Sequence, residues 1–139
     1  MGGRRRGRII AVQSLYRYDL SGAGLEELLD FSWIDGEREA SLPDETADFA
    51  RLLIKGTLES LGDVDAAVRR HLEHWDFDRL SRVDLALLRV SAYCLLFQPD
   101  IPASVTIDEA VDIARAFGGA DSWRFVNGVL DAIRRDAAL

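Results

Sequence analysis

An all-α fold is what this 139-residue chain predicts, and three observations predict it. Stretch after stretch places apolar residues three and four apart, the period of a helix with one inward face. No stretch alternates apolar and polar residues as a half-buried strand would. The third observation is Ser81 to Phe97, SRVDLALLRVSAYCLLF, where only Asp84, Arg89 and Ser91 are strongly polar beyond Val83. A helix apolar on nearly every face has to be enclosed by other helices, so this stretch reads as a central strut. It is shorter than the roughly 20 apolar residues a bilayer needs and carries two charges, which argues against a membrane span.

The other elements follow in order. Ile9, Val12 and Tyr16, with Leu15 at the edge, predict an amphipathic helix from about Arg4 to Leu20, stopped by Ser21-Gly22-Ala23-Gly24. A weaker helix is expected from Leu25 to about Trp33, then a polar loop from Asp35 to Pro43. Pro43 and Asp44 open a third helix with Phe49, Leu52, Leu53, Gly56 and Ser60 inward and Leu61 at its close; Gly56 marks a close helix approach. Gly62-Asp63 reads as turn and cap of a fourth helix, with Val64, Ala67, Val68, His71, Leu72 and Trp75 inward. Ser81 with Asp84 resembles a capping box at the start of the strut, and Gln98-Pro99-Asp100-Ile101-Pro102 ends it. Thr106 with Glu109 reads as a second cap, for a helix lined by Val105, Ile107, Ala110, Val111, Ala114 and Phe117 and stopped at Gly118-Gly119. Asp121 caps a last helix to about Asp136, with Trp123, Val126, Val129, Leu130 and Ile133 inward. That makes about seven helices in one domain spanning residues 1–139.

Hydrophobic residues at 48% and charged residues at 29% describe a globular chain, one long enough to bury about two-thirds of its unfolded surface. The single Cys94 excludes a disulfide framework and reads as a small buried hydrophobe. With no signal peptide or membrane span, a cytoplasmic location is expected. The net charge of −7 argues against indiscriminate nucleic-acid binding, but the charge is uneven. Arg4, Arg5, Arg6, Arg8 and Arg17 face Asp19 alone within the first 20 residues, giving +4 and leaving −11 for the rest. Such a chain can present a local phosphate-binding patch while its body repels the nucleic-acid backbone.

Two stretches suit a nucleic acid. Arg4-Arg5-Arg6-x-Arg8 opens a helix, where cations oppose the dipole; the forks of arginine suit phosphates and its plane suits bases, though a solvated tail is equally open. Asp121-Ser122-Trp123-Arg124-Phe125-Val126-Asn127-Gly128 combines first-turn N–H groups, a hydroxyl and a cation. Phe125 lies to the flank of the buried stripe, where it either offers a ring for a base to stack on or simply packs. Asp121 repels phosphate, so its contacts should be to base donors or sugars.

Enzyme signals are weak. His71 and His74 lack a further ligand set for a metal. Asp108, Glu109 and Asp112 read as first-turn acids favoured by the helix dipole. There is no Gly-rich phosphate loop and no nucleophile elbow. Arg89, buried in the strut, needs a carboxylate, for which Glu109 is the expected partner.

In order and spacing, these stretches resemble the NusB family of transcription antitermination factors. The resemblance runs through the arginine cluster with AVQSLY at Ala11 to Tyr16, RLSRVDLALLR at Arg79 to Arg89, IPASVTIDEAVDIARAFG at Ile101 to Gly118, and DSWRFVNGVLD at Asp121 to Asp131. It implies two small helical bundles and a non-enzymatic protein without cofactor or metal. Such a protein binds the boxA element of nascent RNA together with NusE, a small-subunit ribosomal protein, and so serves the antitermination complex of RNA polymerase on ribosomal RNA genes. By position, the RNA side would hold Arg4, Arg5, Arg6, Arg8, Tyr16, Asp121, Ser122, Arg124 and Phe125, and the NusE side Asp78 and Asp84. The chain departs from the family pattern where Cys94 replaces a usual glutamate, expected to alter a polar contact near the partner surface. It departs again where Asp108 replaces a usual asparagine beside the second cap. Related domains assist RNA cytosine methyltransferases, but no Rossmann segment is present to carry methyl transfer. An interaction scaffold without RNA is the other alternative.

Overall fold

The computed structural model describes residues 2–31, 34 and 42–139. Seven α-helices run through them: α1 Gly3–Ser21, α2 Leu25–Asp30, α3 Asp44–Glu59, α4 Leu61–Arg70, α5 Arg82–Phe97, α6 Ala103–Phe117 and α7 Ser122–Asp136, with a short 3₁₀ turn at Phe77–Arg79 before α5. No strand occurs among the described residues. No helix among them is long and apolar enough to cross a membrane.

The strut is central, as its sequence requires. Every residue of α5 from Leu85 to Leu95 is buried, and the helix packs against α1, α3, α4, α6 and α7. On one side α1 pairs with α3, which α2 flanks; on the other α6 pairs with α7 and α4 closes the end. These two small bundles share α5. Leu15, Leu53, Ile54, Leu87, Leu88, Val126, Leu130 and Ile133 are among the fully enclosed side chains, each worth roughly 1.5–3 kcal/mol of apolar burial. Ser81 caps α5 as expected, its Oγ accepting the Asp84 N–H at 3.1 Å. Gly56 lets α3 and α5 touch, since a Cβ there would fall on the Tyr93 ring.

Several boundaries differ from expectation, each for a local reason. The second helix stops at Asp30 because Phe31 turns left-handed, φ 59°, and sinks its ring into the core; Trp33 and most of the predicted loop lie outside the described residues. Leu61 opens α4 instead of closing α3. Ser60, at φ −107° and ψ 17°, makes a one-residue bend while its N–H still reaches Gly56 and its carbonyl accepts from Val64, so Gly62-Asp63 is helical. The fourth helix ends at Arg70, where the His71 ring Nδ1 meets the Ala67 carbonyl at 2.7 Å and occupies a last-turn group; Leu72 and Trp75 lie beyond it, and Trp75 is 60% exposed. Pro102, with φ already helical, starts α6 earlier than Thr106. Thr106 is therefore an interior residue, and Asp108, Glu109 and Asp112 are not first-turn acids. Leu52, Val105 and Phe117 are exposed, because the neighbouring helices cover a narrower arc than the apolar stripe.

Arg89 is paired, but not with Glu109. Its guanidinium meets Asp65 of α4 through two bonds, Nε to Oδ1 and Nη2 to Oδ2, both 2.9 Å, and Asp19 of α1 stands 3.8 Å away. Asp65 was overlooked because it sits one residue outside the apolar stripe of its helix.

Candidate nucleic-acid interface

The four arginines of α1 do not act as one patch. A helix advances about 100° per residue, so Arg4 and Arg8 share one stripe and Arg5 lies on another. Arg4 and Arg8 both stack on Phe49 of α3, with guanidinium carbons 4.5 and 5.2 Å from the ring centre. Gly7 permits that approach: a Cβ there would stand 2.9 Å from Phe49 Cδ2. Arg8 is buried, its Nε has no hydrogen-bond partner, and desolvation draws its pKa below the ordinary arginine value. Arg5 crosses to α6 instead, its Nε 2.7 Å from Glu109 and its Nη2 2.7 Å from Asp112. The Glu109 hydrogen bond, more than any other contact, raises its pKa. Arg5 and Arg8 thus serve largely as struts, whereas exposed Arg4 and half-buried Arg6, which has no ion pair among the described residues, keep donors for a ligand. Tyr16, eleven residues on from Arg5 and on the same face, is half-buried.

Cys94 is only 1% exposed and lies beside Arg8, so its side chain offers no polar contact at the protein surface. Burial pushes its thiol up to about 11, against a smaller pull from Arg8. Asp108 is exposed in the second turn of α6, away from any cap.

At the other end, Ser122 is not a free hydroxyl. It is buried, and its Oγ accepts the Gly119 N–H at 2.9 Å, pinning the turn between α6 and α7. Asp121 occupies the N-cap position without a side-chain cap bond, so its carboxylate is left to solvent. Phe125 is half-buried and meets Trp75 edge-on, ring centres 5.5 Å apart at 63°. Trp123 is half-buried rather than enclosed, and carries two guanidinium groups: Arg115 of α6 at 4.4 Å and Arg124 at 5.1 Å from its centre.

Two of the predicted sets converge. A cavity of about 330 Å³ is lined by Trp75, Arg79, Leu80, Ser81, Asp84, Asp121, Ser122 and Phe125, so Asp84 from the expected protein side and Asp121 and Phe125 from the expected RNA side face one space. Asp84 Oδ1 is buried there without a hydrogen-bond partner. Asp78 stands apart, exposed on the 3₁₀ turn, with its N–H donating to Asp76. Beyond the Trp75 and Phe125 rings lies a second groove bordered by His71, His74, Arg124 and Arg135. Among the described residues no cluster of His, Cys, Asp or Glu could hold a metal ion.

The arginine end and the start of α7 are connected through α6. Its Asp112 holds Arg5, and Arg115, one turn further, stacks on Trp123. From sequence, Trp75 and Trp123 read as inward and Arg79 and Arg115 carried no assigned role, because tryptophan at helical spacing looks like core and isolated arginines look solvated.

Residues 5–135 match the model of the NusB family. The transcription antitermination protein NusB of Treponema pallidum strain Nichols is 54% identical over 137 residues, covering 97% of this chain and 94% of that protein. That of Myxococcus xanthus is 38% identical over 133 residues, with 96% and 95% covered. Among solved structures, T. maritima NusB superposes with a TM-score of 0.84 at 38% identity, covering 96% of this chain and 91% of the other. A chain from a crystal structure of the antitermination factors NusB and NusE in complex with double-stranded RNA superposes with a TM-score of 0.86 at 27% identity, covering 98% of each.

Proposed function

The chain belongs to the NusB family of transcription antitermination proteins, which are not enzymes, and on that premise we propose that it binds boxA-type RNA jointly with NusE and supports ribosomal RNA transcription within the antitermination complex of RNA polymerase. The observation that carries this reading is α6, which touches both the arginine end of α1 and the Trp123 end of α7. A ligand lying along α6 meets the Arg5 and Arg6 side of α1 at one end and Arg124 and Phe125 at the other, while Arg4 is turned to Phe49 of α3. The similarity to a NusB chain crystallised with NusE and RNA supports the same pair of partners. That RNA is double-stranded; a single-stranded target is favoured here by the exposed ring of Trp75 beside Phe125, since unpaired bases can stack on aromatic faces.

Charge explains why two proteins are needed. The acidic body repels phosphates, so affinity alone is expected to be weak and sensitive to salt. A basic partner seated at Asp84 and Asp78 would neutralise part of that body and raise the effective concentration of RNA at the adjoining surface. Titrating labelled boxA RNA with the protein, with and without NusE and with a scrambled RNA as control, tests this. Tighter, sequence-dependent binding with NusE is expected; identical affinities in the two titrations would refute the shared surface.

A further inference from the structure

We propose that Arg115 and Arg124, held on the Trp123 ring, form a phosphate-binding fork that carries the RNA backbone from the arginine end of α1 to the start of α7. The inference rests on the RNA-binding reading above and adds to it a site in which Arg115 and Trp123 have the leading parts.

Arg115 comes from the last turn of α6 and Arg124 from the first turn of α7, and both lie over one indole, at 4.4 and 5.1 Å. A guanidinium stacked by its face spends none of its N–H donors on the ring, so the planar edge stays free for oxygen ligands. Neither arginine donates to, or forms an ion pair with, any described residue, and both are exposed. Arg5, by contrast, is consumed by Glu109 and Asp112. The stack also limits the rotamers of two long side chains, so less freedom is lost when they close on a phosphate. The turn that sets their spacing is itself pinned by Ser122 on Gly119, with Gly118 packed so closely that a Cβ there would stand 2.6 Å from Ser122 Cβ.

Position selects the ligand. Arg115 is one turn from Asp112, the residue that anchors Arg5, so a chain reaching from the Arg5 and Arg6 side of α1 to Phe125 along α6 passes over Arg115. Arg5 offsets one of the two charges of Glu109 and Asp112, which lessens the repulsion a phosphate meets on that path.

The test uses the full chain with NusE and end-labelled single-stranded boxA RNA, read by anisotropy over a series of salt concentrations. Arg115→Gln is expected to weaken binding roughly three- to tenfold and to reduce the slope of log affinity against log salt by about 0.7, one phosphate contact on a single strand. Arg115→Lys should keep most of the slope. Trp123→Leu should weaken binding with both arginines present, because the fork loses its support. Thermal melts should leave Arg115→Gln unchanged in stability, since the residue is exposed. An unaltered affinity and slope for Arg115→Gln, alongside weakened binding for Phe125→Ala, would overturn the fork and leave the RNA reading standing. Loss of NusE binding without RNA in Arg115→Gln would overturn it too, by assigning the residue to the protein partner. No effect from Arg115→Gln, Arg124→Gln or Phe125→Ala would remove the RNA reading together with the fork.

Discussion

Arg89 of α5 and Asp65 of α4 form a two-pronged ion pair inside the protein, both bonds 2.9 Å, and Asp19 of α1, itself bonded to Arg82, stands within 3.8 Å of the same guanidinium. One cation thus draws together helices from both bundles. Removing one member of a buried pair leaves the other desolvated and unmatched. Arg89→Met and Asp65→Leu should each destabilise the protein by about 3–5 kcal/mol, and the double substitution should recover most of the loss. Urea denaturation of the four proteins checks this; additive losses in the double variant would contradict the pairing.

Gly56 and Tyr93 set the distance between α3 and α5. A methyl group at Gly56 would overlap Tyr93 Cζ and Oη, and Tyr93 is held by Gln98 Nε2, which donates to its hydroxyl at 2.8 Å. The preference of alanine over glycine in a helix, roughly 0.5–1 kcal/mol, is too small to offset that overlap. Gly56→Ala should therefore lose about 1–3 kcal/mol in a thermal or chemical melt.

Cys94 should be silent in the folded protein. With its thiol pushed from an ordinary 9.0 up to about 11, only about one molecule in a thousand carries the reactive thiolate at pH 8. A thiol reagent should label it only after denaturation. The raised value also gives stability a sign against pH. Below pH 9 both states keep the proton; between pH 9 and about 11 the unfolded chain releases it first, so stability declines, by at most about 1.4 kcal/mol per pH unit. Cys94→Ala should flatten that part of the profile.

Phe125 and Trp75 form one aromatic ridge, so each should matter for RNA. Phe125→Ala is expected to weaken RNA binding about tenfold, roughly 1.4 kcal/mol, and Trp75→Ala by a similar factor, both measured by anisotropy. Because Phe125 and Asp84 line the same cavity, a smaller loss of NusE affinity is expected as well. Asp84→Lys should abolish NusE binding without lowering the RNA affinity of the protein alone, a separation that calorimetry with NusE and anisotropy with RNA can measure.

Much of this was legible from local spacing. Apolar residues three and four apart located seven helices, the all-round apolar pattern located the strut, and Ser81 marked its start, because each signal lies within one or two turns of chain. Helix ends were read less well where a single residue decided them: Phe31 in its left-handed turn, Ser60 at its bend, and the ring of His71 on the Ala67 carbonyl. Of the candidate site, sequence named residues at both ends but did not separate those held by other side chains from those left open.

What the amino-acid order determined by itself is which faces are apolar and where charge is concentrated; from residue types it also raised the expectation that a basic beginning and the opening of the last helix meet a nucleic acid. Only the tertiary structure decided which charges are already taken: Arg5 by Glu109 across 104 positions, Arg89 by Asp65, and Arg8 by burial beside Phe49. It also left Arg115 and Arg124 free on Trp123 and turned Trp75 outward. The reason is physical. Periodicity states which side of a helix a residue occupies, but the partner it meets there is supplied by another helix, whose approach depends on the packing of the whole core.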